Sequence, residues 1–545
     1  MYWTQYPRPS LQRESFLCLN GAWDFAVCEE GAQPQYNKTI NVPFCPESKR
    51  SGIQEVYPES KVLWYRRHFT LPEGFKQSRV LLHFGGVDQI ARVYMNDRVV
   101  GSHEGGYLPF TFDITDVLQE DNVLTVEVRD YLSTKILPYG KQTHKRGGMW
   151  YTPVSGIWQT VWVESVPETY IQGIRIHTGA DWVEIAVQGI TKGVVEIQGM
   201  EPVPIENGTC RVSIPNPRKW SPEDPYLYDC TIQAGEDRVR SYFALRTLEI
   251  KKVDGYPRIC LNGKPYFFHG LLDQGYWPDG IFTPESPEAY ERDILLAKRL
   301  GFNMLRKHIK IEPELFYYAC DRLGMVVFQD MINNGSYSFV RDTALPTVGL
   351  RYLPDRWLHR NKKSRKAFEQ AMVETVETLY NHPCICYWTI FNEGWGQFCG
   401  TRMYERLKAL DDSRIIDTAS GWFSGVDSDV DSRHVYFRKV RMKAGKKPLV
   451  LSEFGGYSYK VEDHIWNPKK EYGYGKCTSR EDFVQALRKV YLEEVAPLIE
   501  MGLCAAVYTQ ISDVEDEING LVTYDRQVEK VRPEEFQDVS AQLKL

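Results

Sequence analysis

The chain has 545 residues, 43% hydrophobic and 25% charged, with a formal net charge of −6. That balance belongs to a folded protein of several domains at about 150 residues each, and excludes a disulfide scaffold or a disordered polymer. A pI near 6.1 without a Lys/Arg block excludes the electrostatic footprint of a nucleic-acid binder. The start, MYWTQYPRPSLQRESF, does not read as a signal peptide, and no apolar window of roughly 18 residues marks a membrane span. Twelve cysteines without CxxC pairs read as reduced thiols, so a cytoplasmic protein is expected. With no HExxH, carboxylate-rich loop or Cys/His set in the sequence, no metal is expected, and no cofactor either.

In chain order, residues 1–167 carry short β-rich runs such as VLLHFGG, ARVYMNDRVVG and NVLTVEVRD. Turn residues break them about every ten positions, which predicts a two-sheet β-sandwich. Residues 168–248 continue with WVEIAVQ, GVVEIQG and YFALRTLEI, enough for one immunoglobulin-like sandwich. From 249 to 545 the period changes, and helical segments such as PEAYERDILLAKRLG and RKAFEQAMVETVETLYN alternate with apolar runs. Eight runs follow in order: YFFHG, FNMLR, MVVFQD, ICYWTIFNE, RIIDTA, RHVYF, PLVLSE and CAAVYTQ. This pattern predicts a (β/α)8 TIM barrel, whose chemistry sits at the carboxyl ends of its strands. The first and sixth strands are the weakest.

Glu393 follows the fourth run and Glu453 the seventh, so two carboxylates are expected at one barrel mouth. A glycosidic bond needs one carboxylic acid to protonate the leaving oxygen and a second carboxylate to meet the cationic anomeric carbon. An ionised Glu453 would favour a protonated Glu393 by like-charge repulsion. Asn392 supplies an amide suited to a sugar hydroxyl, and Gly455 and Gly456 allow the chain to turn after Glu453.

The segments NHPCICYWTIFNEGW and LSEFGGYS resemble the acid/base and nucleophile signatures of glycoside hydrolase family 2, the β-galactosidase, β-glucuronidase and β-mannosidase family. LNGAWDF, WYRRHF, HFGGVD and GIWQTVWVE match its jelly-roll domain, and GFNMLR and YYACDRLGMVVFQD its early barrel strands. The resemblance implies a jelly roll, an immunoglobulin-like domain and a catalytic barrel in a compact form of the family, with retaining hydrolysis of a terminal β-glycoside. Glu393 then falls at the acid/base position and Glu453 at the nucleophile. Some relatives assemble through their sandwich domains, so a homo-oligomer is compatible with the pattern.

Departures from the family bear on the sugar. The family's Arg-His-Glu stretch after strand one is HGLLDQGYWPDG here, which puts Asp273 and Gln274 towards the mouth. After strand two the chain keeps Arg306 and has Ile309 at the usual His position, with Lys307 and His308 between. The Asn-x-Lys element that pairs with a uronate carboxylate is replaced by EDEINGLVTYDR. Its acidic positions, Asp513, Glu515, Asp516 and Glu517, either repel an anionic sugar or form a solvated loop. A neutral hexose is therefore the first expectation, in a small oligosaccharide or aryl glycoside. A uronide recognised through Arg306 or Lys307 is the alternative, and a non-catalytic sugar-binding protein the second. With 14 Trp and 33 Tyr, most aromatics must belong to cores. Trp150, at the jelly-roll loop that enters the mouth in relatives, Trp395 and Trp422 are the candidates for stacking on sugar. Tyr436 is the candidate partner of Glu453, and His308 and His434 are candidate sugar ligands.

Overall fold

The computed structural model describes residues 2–347 and 354–545. The first unit packs a six-stranded sheet, in the order Lys38–Val42, Gly21–Glu29, Lys61–Phe69, Asn122–Arg129, Ile90–Met95 and Arg98–Glu104, against a four-stranded one. Alternate residues point inward, so Trp23, Phe25, Tyr65, Leu82, Phe84, Val93 and Val126 form the core between the sheets. The second unit is an immunoglobulin-like sandwich with its own apolar core, including Val183, Ile185, Val195 and Ile232. Its layers join through a single antiparallel pair, Glu206 and Thr209. Arg13 ties the two sandwiches together through Glu164 of the first and Asp237 of the second.

The third unit is the barrel. Its parallel strands are β1 (Phe268–Asp273), β2 (Met304–Lys307), β3 (Val326–Asp330), β4 (Ile385–Asn392), β5 (Ile415–Ser420), β6 (Asp431–Val435), β7 (Leu449–Phe454) and β8 (Leu503–Tyr508). Hydrogen-bonded pairing runs β5-β4-β3-β2-β1-β8-β7-β6. Between β5 and β6 the tie is made by side chains, with Ser432 Oγ donating to Asp417 Oδ1 at 2.9 Å. The helices Glu288–Arg299, Glu314–Leu323 and Lys362–Leu379 cover the outside, and the barrel strands other than β6 are buried on both faces. Among the described residues no helix is long and apolar enough to cross a membrane.

A loop of the first sandwich, residues 139–152, crosses to the barrel mouth. The Tyr139 and Gly140 N–H groups donate to Asn333 O, Thr152 N donates to Glu515 at 2.9 Å, and Tyr151 donates to Glu517. Gly140 has φ +68°, and a Cβ there would lie 3.0 Å from Ile309 O, so the close approach requires glycine.

Candidate active site

β4 ends at Asn392, and Glu393 turns the chain out of the strand with φ +51°. Its N–H donates to Ser420 O at 2.9 Å, and Trp395 N–H donates back to Asn392 O at 2.8 Å. Gly394 completes the turn at φ +74°, where a Cβ would meet the Phe423 ring at 2.4 Å. Glu453 projects from β7. One oxygen of each carboxylate and a nitrogen of His434 lie within 4.8 Å of one another. Their side chains are 13% exposed for Glu393 and 6% for Glu453.

The two carboxylates have different partners. Glu453 Oε1 accepts from Arg306 Nη1 at 3.0 Å, and Oε2 accepts from Tyr436 Oη at 2.7 Å. Burial alone would raise the Glu453 carboxyl, but His434, Arg306, His308 and Lys141 together hold it down at about 2. It is an anion at neutral pH. Glu393 Oε1 lies 2.8 Å from His434 Nδ1, and among the described residues no arginine pairs with it.

Arg306, expected to touch sugar, is instead enclosed beneath the carboxylates. Its Nε donates to Asp330 at 3.0 Å, Nη1 to Ser452 O and Glu453, and Nη2 to Asn392 Oδ1 at 2.9 Å. Asn392 turns one lone pair of Oδ1 to Arg306 and keeps its NH2 group for a hydroxyl. Asp273, expected at the mouth, points outward: it pairs in register with Lys307, and the Lys307 ammonium lies 2.6 Å from its carboxylate and 3.0 Å from Glu312. Side chains alternate along a strand, so with Arg306 inside, Lys307 and its neighbour Asp273 must face the helices. Both cations weighed for a uronate are thus committed elsewhere.

His308 is fixed by Asp330 through Nδ1 at 2.7 Å. Burial and the Lys141 ammonium pull it down to about 4 against the pull of Asp330, so it is a neutral imidazole with Nε2 left for a ligand. Trp150 is half-buried on the crossing loop and stacks on Trp395, centroids 5.2 Å apart. Trp395 is only 2% exposed, so it supports Trp150 and offers no open platform to a sugar. Trp422 packs 5.9 Å from the His434 ring. The acidic stretch after β8 is neither a free anionic surface nor a solvated loop. Asp513 pairs with Lys530 at 2.7 Å, Asp516 with Arg146 at 3.3 Å, and Glu515 and Glu517 bind the crossing loop.

Two residues gain a place that sequence reasoning did not give them. Lys141, on the crossing loop, is 8% exposed, with Nζ 5.7 Å from the centroid of the Trp395 ring and 5.6 Å from that of Tyr151. His434, weighed only as a sugar ligand, stands between the two carboxylates. Its position near the end of β6, two residues before Tyr436, was the available signal.

The chain's segments match known families in the same order. Residues 35–195 match the glycosyl hydrolase 2 galactose-binding domain-like family, 178–246 glycosyl hydrolases family 2, and 252–539 the family 2 TIM barrel domain. The chain belongs to glycoside hydrolase family 2. Within this family, it is 27% identical over 408 residues to a β-galactosidase of Thermoanaerobacter pseudethanolicus, covering 68% of the chain and 49% of that protein. It spans about half of that relative's length. It is 26% identical over 497 residues to the β-glucuronidase of Canis lupus familiaris, covering 79% and 72%. Among solved structures, its fold resembles a family 2 β-galacturonidase from Eisenbergiella tayi, with TM-score 0.72, 20% identity and 99% and 98% coverage. It also resembles a β-D-glucuronidase of Dictyoglomus thermophilum, with TM-score 0.76, 18% identity and the same coverage.

Proposed function

We propose that this family 2 chain is a retaining exo-β-glycosidase of small glycosides, with Glu453 as nucleophile and Glu393 as acid/base. The observation that carries this reading is the approach of the two carboxylates, with one oxygen of each within 4.8 Å. Retaining enzymes hold the pair about 5–5.5 Å apart, whereas inverting enzymes leave roughly 6.5–9.5 Å for a water molecule. The ionised Glu453 attacks the anomeric carbon while Glu393 gives its proton to the departing oxygen. Glu393 then takes a proton from water, whose oxygen releases the sugar from Glu453.

A neutral hexose, as in β-galactosidases, is the first reading of the substrate, because Arg306 and Lys307 are committed and Glu517 lies by Lys141. The second reading is a β-uronide, favoured by the buried Lys141 ammonium against Trp395 and by the names of the structural relatives, which act on uronides. The division into domains proposed with it is 1–167, 168–248 and 249–545.

The test is nitrophenol release from matched β-galactoside, β-glucoside, β-mannoside, β-glucuronide and β-galacturonide, with Glu453→Ala as the blank. A Glu453-dependent signal on one sugar supports the reading and names the substrate. Sugar binding without turnover on any of them, or activity that survives in Glu453→Ala, overturns it.

A further inference from the structure

His434 touches both carboxylates from β6. Its Nδ1 lies 2.8 Å from Glu393 Oε1 and 3.6 Å from Glu453 Oε2, and its Nε2 lies 3.0 Å from Ser420 Oγ. The hydrogens around it can be assigned. Ser452 Oγ donates to Arg433 O, and Ser420 Oγ donates to Ser452 Oγ, so the Ser420 hydroxyl hydrogen is already used. Both Nη1 hydrogens of Arg306 are used on Ser452 O and Glu453, and the contact from Nη1 to Nε2 is long at 3.4 Å. Nε2 is therefore the donor to Ser420, because each ring nitrogen is assigned by the bond the other atoms leave open to it. Nδ1 is left facing Glu393, and one proton must lie between them, since a bare nitrogen and a carboxylate oxygen both accept and would repel at 2.8 Å.

We propose that His434 is the positioning residue of the acid/base: its Nδ1 shares the proton of Glu393, so the carboxyl enters the first step as an acid and swings free once it has given the proton away. The inference rests on the function proposed above. In the first step the shared proton goes to the leaving oxygen as the C1–O bond breaks and the bond from C1 to Glu453 forms. Glu393 is then a carboxylate facing a bare Nδ1, and repulsion turns it from His434 towards the incoming water. Water gives one proton to Glu393 and its oxygen to C1, the bond to Glu453 breaks, and the bridge to Nδ1 reforms. Besides the two glutamates, the charged groups facing His434 among the described residues include Arg306 from β2 and Asp417 from β5.

The experiment compares wild type, His434→Asn and Ser420→Ala on two glycosides of the active sugar, one with a methanol and one with a 2,4-dinitrophenol leaving group. Asparagine can accept a hydrogen bond at the Nδ1 position but cannot take up a proton. His434→Asn should lower kcat/KM for the methyl glycoside about 100-fold and for the dinitrophenyl glycoside less than about threefold, since only the poor leaving group needs the acid. The alkaline limb of the kcat/KM profile should move to lower pH, and Ser420→Ala, which removes the acceptor of Nε2–H, should move it the same way by less. Equal losses on both substrates, or an alkaline limb that stays in place in both variants, overturn the inference. If His434→Asn does not fold, Ser420→Ala decides alone, and an unmoved limb counts against it. Activity that is abolished by Glu453→Ala while the limb stays fixed would sink this inference and leave the proposed function standing. A wild-type enzyme silent on every glycoside removes both.

Discussion

Trp150 of the first sandwich stacks on Trp395 of the barrel, two residues past Glu393, with ring centroids 5.2 Å apart and planes 25° from parallel. Tyr337 meets both rings edge-on, at 5.0 and 5.6 Å. The active-site wall is therefore made by two domains, and the loop that delivers Trp150 is anchored to the barrel through Glu515 and Glu517. Trp150→Ala should lower kcat/KM about fivefold, mostly through KM, because an aromatic contact of this kind contributes about 1 kcal/mol. Steady-state kinetics check it, and an unchanged KM would place Trp150 outside the substrate's reach.

Arg306 is the cation that organises the floor of the site. Arg306→Met leaves Asp330 and Glu453 as uncompensated buried anions and should cost about 3–5 kcal/mol. Arg306→Lys should restore little, because one ammonium cannot replace a planar fork that reaches Asp330, Asn392, Ser452 and Glu453 together. Urea unfolding followed by circular dichroism measures both variants, and a near-neutral Lys variant would contradict this account.

Tyr436 donates to the nucleophile at 2.7 Å and lies 2.8 Å from Thr509 Oγ1. A hydrogen bond to a charged group is worth about 1.5–3 kcal/mol, so Tyr436→Phe should lower kcat about 10- to 100-fold with the fold intact. A wild-type kcat in that variant would show that the contact does not orient Glu453.

Glu453 also links stability to pH. Its carboxyl is held at about 2 in the fold against an ordinary 4.5. The folded state thus binds fewer protons than the unfolded one between these values, and this contribution is fully present above about 4.5 and is lost as pH falls towards 2. The Tm of wild type should fall more steeply than that of Glu453→Gln as pH drops from about 5 to about 3. Parallel Tm curves would mean that the carboxyl is not held down.

The barrel strands and both glutamates were legible in the sequence because each strand is a short apolar run closed by polar residues, and a carboxylate at such an end is conspicuous. The weakness of the sixth run has a physical counterpart: β6 has a ladder with β7, but it joins β5 through side chains. Asp273 was misplaced because a strand end was read without the parity that Arg306 sets for its neighbours. Trp395 looked like a sugar platform because the sequence does not say that Trp150 covers it. Lys141 and the bridging place of His434 depend on contacts between segments far apart in the chain, and no local pattern encodes such a meeting.

The central claim, double displacement at Glu453, is tested most directly by recording proton NMR spectra during the first minutes of hydrolysis of the active aryl β-glycoside. The β-anomer of the free sugar should appear first, with the α-anomer growing in later by mutarotation. An α-anomer appearing first would mean inversion, and would contradict the assignment of Glu453 as nucleophile.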